Sequence, residues 1–277
     1  MNVGVSIKKV IALARIMLVD GLRRHALIGL LVLALAAEAG GLLFFDFIHR
    51  DIGRASTDFI FSVSWVVGFI FLFFHAVQVM AWDEERRVIH TLLAPPLSRG
   101  EYVVGVFVGL GGLLLLLNII LGAIGWGTLM VIRQMVDSGY FSYFSDGFYL
   151  ISWLGLFAMQ LMMLAVILLF SGLVRGGFPV LLVSLCFYMI CSGLPVVRES
   201  MAQRMQEVPG LETTSRVLKG MNAIFPDFSR LDFKNAVVSS AGIPELSMLA
   251  TNFGLFLLYT IVLLWMASAV YQRRDLQ

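Results

Sequence analysis

Apolar residues in this chain come in long blocks separated by short polar gaps. Six blocks, at 26–45, 59–82, 102–132, 149–174, 178–197 and 248–271, are long and apolar enough to cross the membrane as helices. About 30 Å of hydrocarbon takes roughly 20 helical residues. The pattern predicts an all-α integral membrane protein, a single transmembrane domain over 1–277 with six transmembrane helices. The third block is longer than a crossing requires, so it should tilt, protrude or break, and its glycines from Gly105 to Gly127 allow any of these. Gly105 and Gly109 are four apart, a small-residue pair that lets helices approach closely.

Two other segments complete the layout. Residues 1–25 precede the first block, and within them Ile7, Val10, Ile11, Ala14, Met17 and Leu18 follow helical i, i+3, i+4 spacing. Lys8, Lys9 and Arg15 fall off that stripe, which predicts an interfacial helix with its apolar face in lipid. Residues 198–247 form the one sizeable polar region, too short and too mixed for a core of its own. Short helices packed on the outer mouth of the bundle are expected there. The apolar run 26–35 and the alanines after it look like a signal peptide, but Glu38 interrupts the patch and apolar character resumes to Phe45.

Composition sharpens the membrane reading. The chain is 59% hydrophobic and 14% charged, where soluble domains carry about a quarter charged residues. The net charge of +2, without a basic stripe, argues against nucleic acid as a partner. Cys186 and Cys191 read as two small buried thiols, because residues five apart on one helix do not face each other. Lys and Arg set the orientation. With the N-terminus inside, cytoplasmic segments hold eleven and the two short outer loops hold three, Arg50, Arg54 and Arg133. The 198–247 segment adds six on the outside, but long connections cross with less regard to charge. Both termini are therefore expected in the cytoplasm.

Several chemistries lack their residues. None of the four lysines, Lys8, Lys9, Lys219 and Lys234, follows a glycine, so no phosphate-binding loop is present. The histidines are His25, His49, His75 and His90, and Ser192 has no later histidine to act as its base. No His-Glu-x-x-His zinc pattern occurs. The chain is expected to be non-catalytic, with no metal site. Within the blocks, Glu38, His75 and Gln78 are candidate pathway residues, because ionisable groups in a membrane are costly. Hydrogen bonding between helices explains them equally well. Asn118 and Gln160 add neutral polarity.

The densest polar island lies between the second and third blocks, over 83–101. Trp82 closes the second block, and Asp83, Glu84, Glu85, Arg86 and Arg87 follow. Charge this dense stays in water beside the bilayer. Pro95 and Pro96 stop a helix. Ser98 and Glu101 have capping-box spacing for the start of the third block. Capping leaves the mixed-charge helix before the prolines unexplained, and a short polar connection held between two spans is a natural docking surface.

These residues resemble the signature of permease subunits of the type-2 ABC exporter family. Glu84, Glu85, Arg86 and Arg87 match its opening, Thr91, Leu92 and Leu93 its middle, and Pro96, Ser98, Arg99, Glu101, Tyr102 and Gly105 its close. His90 stands where glycine is usual and Val106 where lysine is usual. Phe225-Pro226-Asp227-Phe228 is similar to an outer-segment motif of permeases that serve nitrous-oxide-reductase maturation. The resemblance implies a bacterial inner-membrane permease that works as a dimer, with a second copy or a paralogue, beside a separate cytoplasmic ABC ATPase. ATP and Mg would sit on that ATPase, with no cofactor on this chain. It also implies a coupling helix over 83–91 whose charges pair with the ATPase while Val88, Ile89 and Leu92 fill an apolar notch. The ATPase-coupling set is then Asp83, Glu84, Glu85, Arg86, Arg87, Val88, Ile89, Thr91, Leu92 and Arg99. Two alternatives stay open: a mechanotransmitting ABC membrane subunit that acts on a periplasmic partner, and a secondary transporter that needs no ATPase.

Overall fold

A computed structural model describes residues 7–23, 26–45, 51–85, 97–141, 144–204, 220–221, 225–238 and 245–273. All regular structure among them is helical, with no strand. The α-helices are α1 (Ile7–Arg23), α2 (Ala26–Phe45), α3 (Ile52–Ile70), α4 (Val77–Glu85), α5 (Arg99–Met135), α6 (Asp146–Leu173), α7 (Gly177–Arg204) and α8 (Leu246–Arg273). Five helical stretches are long and apolar enough to cross a membrane: Ile52–Ala81, Arg99–Met135, Asp146–Leu173, Gly177–Ser200 and Leu246–Arg273. The architecture is that of a multi-pass α-helical membrane protein. The first expected span, at 26–45, is a helix of 20 residues, Ala26–Phe45.

The long third block does not break. It forms one helix of 37 residues, about 55 Å long at 1.5 Å per residue. Ser98 caps it as its spacing predicts: its hydroxyl accepts from the Glu101 N–H at 3.2 Å, and the Ser98 N–H donates to Glu101 Oε2 at 2.7 Å. Helix α5 is the centre of the bundle, with Leu110, Leu113, Leu114, Leu117 and Leu121 almost wholly buried. Helix α6 is enclosed on every side in its C-terminal half, because all seven residues from Met162 to Leu168 are fully buried. Such a helix needs apolar residues all round, which is what that run supplies. Helices α7 and α8 are peripheral and leave many large apolar side chains exposed, among them Phe178, Met189, Leu257 and Trp265.

The glycines of α5 act as contact points rather than hinges. A side chain at Gly105 would run into Leu13, one at Gly109 into Met17 and the Ala14 backbone, and one at Gly112 into Leu18. Residues 13 to 18 therefore meet residues 105 to 112 in ascending order, so α1 runs beside the first turns of α5 in the same direction. On its other faces Gly111 meets Leu161, Gly122 meets Trp153, and Gly125 meets Ile60. The small-residue pair Gly105/Gly109 is thus occupied by α1.

This seating divides the amphipathic stripe of α1. Val10, Leu13 and Ala14 are buried with Gly21, while Ile7 and Ile11 are exposed, together with Ile16, Val19 and Leu22. The stripe expected to face lipid is therefore split, with Leu13 and Ala14 packed on α5 while Ile7 and Ile11 stay exposed. Two further details depart from expectation. Cys191 is buried but Cys186 is exposed, and neither forms a disulfide. Helix α7 continues past Pro195 to Arg204, beyond the expected end at 197.

The packing at Gly109 yields a direct test. Gly109→Leu should lower the thermal unfolding midpoint in detergent, since overpacking costs about 1–3 kcal/mol. Gly127→Leu should leave the midpoint unchanged, because an added side chain there meets nothing within 4 Å.

Candidate functional site

The end of the bundle where α4 finishes and α5 begins holds the charged segment singled out in the sequence. The continuous helix formed by α3 and α4 delivers the chain to Glu85, and α5 takes it up again at Arg99. Asp83, Glu84 and Glu85 form the last turn of α4. Arg86, Arg87, Val88, Ile89, Thr91 and Leu92, with Pro95 and Pro96, lie outside the described residues.

Arg99 is tied to the far end of the chain. Its Nη1 donates to the Tyr271 carbonyl at 2.9 Å and to the Gln272 carbonyl at 2.8 Å. These carbonyls close the last turn of α8, where intrahelical partners run out and the helix dipole favours a cation. The Tyr271 hydroxyl lies 2.9 Å from the Ser171 hydroxyl near the end of α6. Its ring sits 6.0 Å from that of Tyr102. The segment Ser98-Arg99-Gly100-Glu101-Tyr102 therefore caps α5 and fastens its start to the ends of α6 and α8.

The candidate pathway residues occupy separate places. Glu38 is buried on α2 and accepts a hydrogen bond from Thr128 Oγ1 of α5 at 3.1 Å. His75 is buried in a π-helical turn, Phe71–Ala76, that joins α3 to α4, with the Phe71 ring 5.1 Å away. The Val77 N–H that closes this turn donates to the Leu72 carbonyl, five residues back. Such insertions in a helix often mark functional positions. Gln78 is exposed one turn on.

A buried polar cluster, noted in the sequence only as neutral polarity, crosses the middle of the bundle. Asn118 Nδ2 donates to Gln160 Oε1 at 2.7 Å and to the Leu114 carbonyl at 2.9 Å. Gln160 Nε2 reaches the Ser64 carbonyl at 3.4 Å, and Trp153 Nε1 donates to the Asn118 carbonyl at 2.9 Å. Asn118 and Gln160 are both fully buried. They join α3, α5 and α6, and Gly68 leaves the room that Gln160 fills. Polar side chains buried between helices are stable only when hydrogen-bonded in this way.

At the opposite end of the bundle, the motif Phe225-Pro226-Asp227-Phe228 folds around a buried carboxylate. Asp227 accepts from Arg198 Nη2 at 3.1 Å, from the Ser229 N–H at 3.1 Å and from the Ser229 hydroxyl at 2.6 Å. Arg230 Nε lies 3.8 Å away. Phe228 packs between Tyr188 and Phe256. Asn252 Nδ2 of α8 donates to the Arg230 carbonyl at 3.0 Å. Two 3₁₀ turns, Phe228–Leu231 and Lys234–Val237, lie within the expected polar outer segment.

Comparison with models of known protein families gives no match, and comparison with curated protein sequences gives none either. Among the described residues, no group of three or more His, Cys, Asp or Glu side chains is placed to hold a metal ion.

Arg99 supports a specific prediction. Arg99→Ala should speed amide hydrogen exchange in the last turn of α8 about tenfold, given roughly 1.5 kcal/mol for a hydrogen bond from a charged donor. Arg99→Lys should keep part of the protection, because an ammonium can reach a carbonyl but lacks the planar fork.

Proposed function

We propose that this chain is the membrane-spanning permease subunit of an ATP-driven ABC transporter. It pairs with a second copy or a paralogue and couples through residues 83–101 to a separate ATPase that carries ATP and Mg. The observation that supports this most is the motif running from Glu84 to Tyr102, set between the ends of two long helices. In this reading α2 is the sixth span, both termini are cytoplasmic, and the protein resides in a bacterial inner membrane. The chain does no catalysis of its own.

Anchoring at both ends of the connection gives the coupling a physical basis. A force on the 83–101 segment reaches α5 through its capped start and α8 through the Arg99 hydrogen bonds. ATP supplies the driving force by binding the closed ATPase pair more tightly than the open one. The helix pair then moves as rigid rods, because packed helices have few intermediate arrangements.

A second reading draws on α8 itself. This helix is bound at its inner end by Arg99 and at its outer end by Asn252 to the outer segment. A rod fixed at both ends can pass motion to a periplasmic partner without moving any cargo.

Co-expression with an ATPase encoded beside this chain tests the first reading. The two should co-purify, and Glu85→Arg or Arg87→Glu should weaken the association about tenfold or more, as reversed charges do at a complementary interface. Solute movement in liposomes by the purified chain alone would refute the ATPase-coupled reading and favour a secondary transporter.

A further inference from the structure

The outer half of the bundle holds a half-open cavity of about 260 Å³ that neither the coupling segment nor the candidate pathway residues touch. Helices α3, α6 and α7 wall it, and the outer segment roofs it. Phe61, Ser152, Leu156 and Leu231 of its lining are buried. Exposed Ser62, Ser229 and Asp232 form its rim. The roof is fixed in place, because Phe228 stacks on Tyr188 and Asp227 is locked to Arg198 and Ser229.

The lining specifies what fits. Aromatic side chains, Trp65 and Tyr188 among them, give flat apolar walls. Trp65 Nε1 donates to the Tyr188 oxygen at 3.1 Å, so its N–H is spent while the tyrosine hydroxyl still has a hydrogen to give. Ser152 also lines the cavity, is 3% exposed, and its hydroxyl makes no hydrogen bond within the protein. A buried hydroxyl without a partner costs free energy unless a ligand or water completes it. Rotation about its single side-chain bond is enough to bring it to an occupant. The two charged groups of the lining, Lys234 and Asp232, lie 3.8 Å apart and pair with each other, and Asp58, outside the lining, lies 3.7 Å from the same ammonium. Aromatic walls, convergent hydroxyls and no unopposed charge are the features of a small-molecule pocket.

We infer that this cavity binds a small uncharged molecule with a flat apolar body and a hydrogen-bonding oxygen, of the size class of a simple phenol, entering from the outer side. The site is independent of the ATPase-coupled reading and stands or falls separately from it. Calorimetric titration of 4-methylphenol into the full chain in lipid nanodiscs, with empty nanodiscs as the reference, tests it. Saturable binding above the lipid background is expected, together with binding at least about tenfold weaker for 4-methylbenzoate and 4-methylbenzylamine, which must each bring a charge into an apolar site. Ser152→Ala should weaken binding about fivefold, as loss of one hydrogen bond does. Ser192→Leu, which narrows the cavity from α7, should abolish it with the unfolding midpoint unchanged. Met159→Trp fills the same space from α6 and serves if Ser192→Leu folds poorly. Uptake that matches empty nanodiscs, binding that survives a folded filling variant, or charged analogues that bind as well as the phenol would overturn the proposal.

Discussion

Close backbone approach at the glycines of α5 is the constraint on which the rest of the bundle depends. In lipid the helices gain little from burying apolar surface against one another, so contact comes from van der Waals packing and a few hydrogen bonds. Gly105, Gly109 and Gly112 take α1, while Gly111, Gly122 and Gly125 take α6 and α3. One helix thereby holds three neighbours at short range, and its length of 37 residues gives the bundle a common axis. Replacing Gly111, Gly122 and Gly125 would separate the helices whose spacing sets the Asn118–Gln160 bond.

The two ends of the bundle are organised by charge in different ways. At the end that holds the start of α5 a single guanidinium satisfies the last carbonyls of α8 and brings the two helices together. At the opposite end a buried carboxylate, Asp227, gathers Arg198, Ser229 and Arg230 and so shapes an otherwise irregular segment. Between them lies a polar layer in which Asn118 donates to Gln160 and Gln160 to the Ser64 carbonyl, so that three helices are joined. Helix α8 contacts the anchors at both ends, which is why motion at one end has a route to the other.

Much of the fold was legible in the sequence, because a membrane requires long apolar blocks and those blocks are plain to read. The capping box at Ser98 was equally plain, since it depends only on residues three apart. What could not be read were long-range choices. Nothing local shows that Gly105 and Gly109 receive α1, that Arg99 reaches Tyr271 across 172 positions, or that Asn118 finds Gln160. The π turn at Phe71–Ala76 has no local signature either. The coupling motif was visible as a pattern of charges and prolines, but pattern alone does not supply its partner.

The central claim is that the hydrophilic bridge between α4 and α5 faces the cytoplasm, where an ATPase can grip it. The most direct measurement places a single cysteine at Val88, in a chain with Cys186 and Cys191 replaced by alanine, and applies a membrane-impermeant maleimide. The account predicts no labelling in intact cells with a permeabilised outer membrane and full labelling in inverted inner-membrane vesicles. Labelling from the outside of intact cells would contradict it.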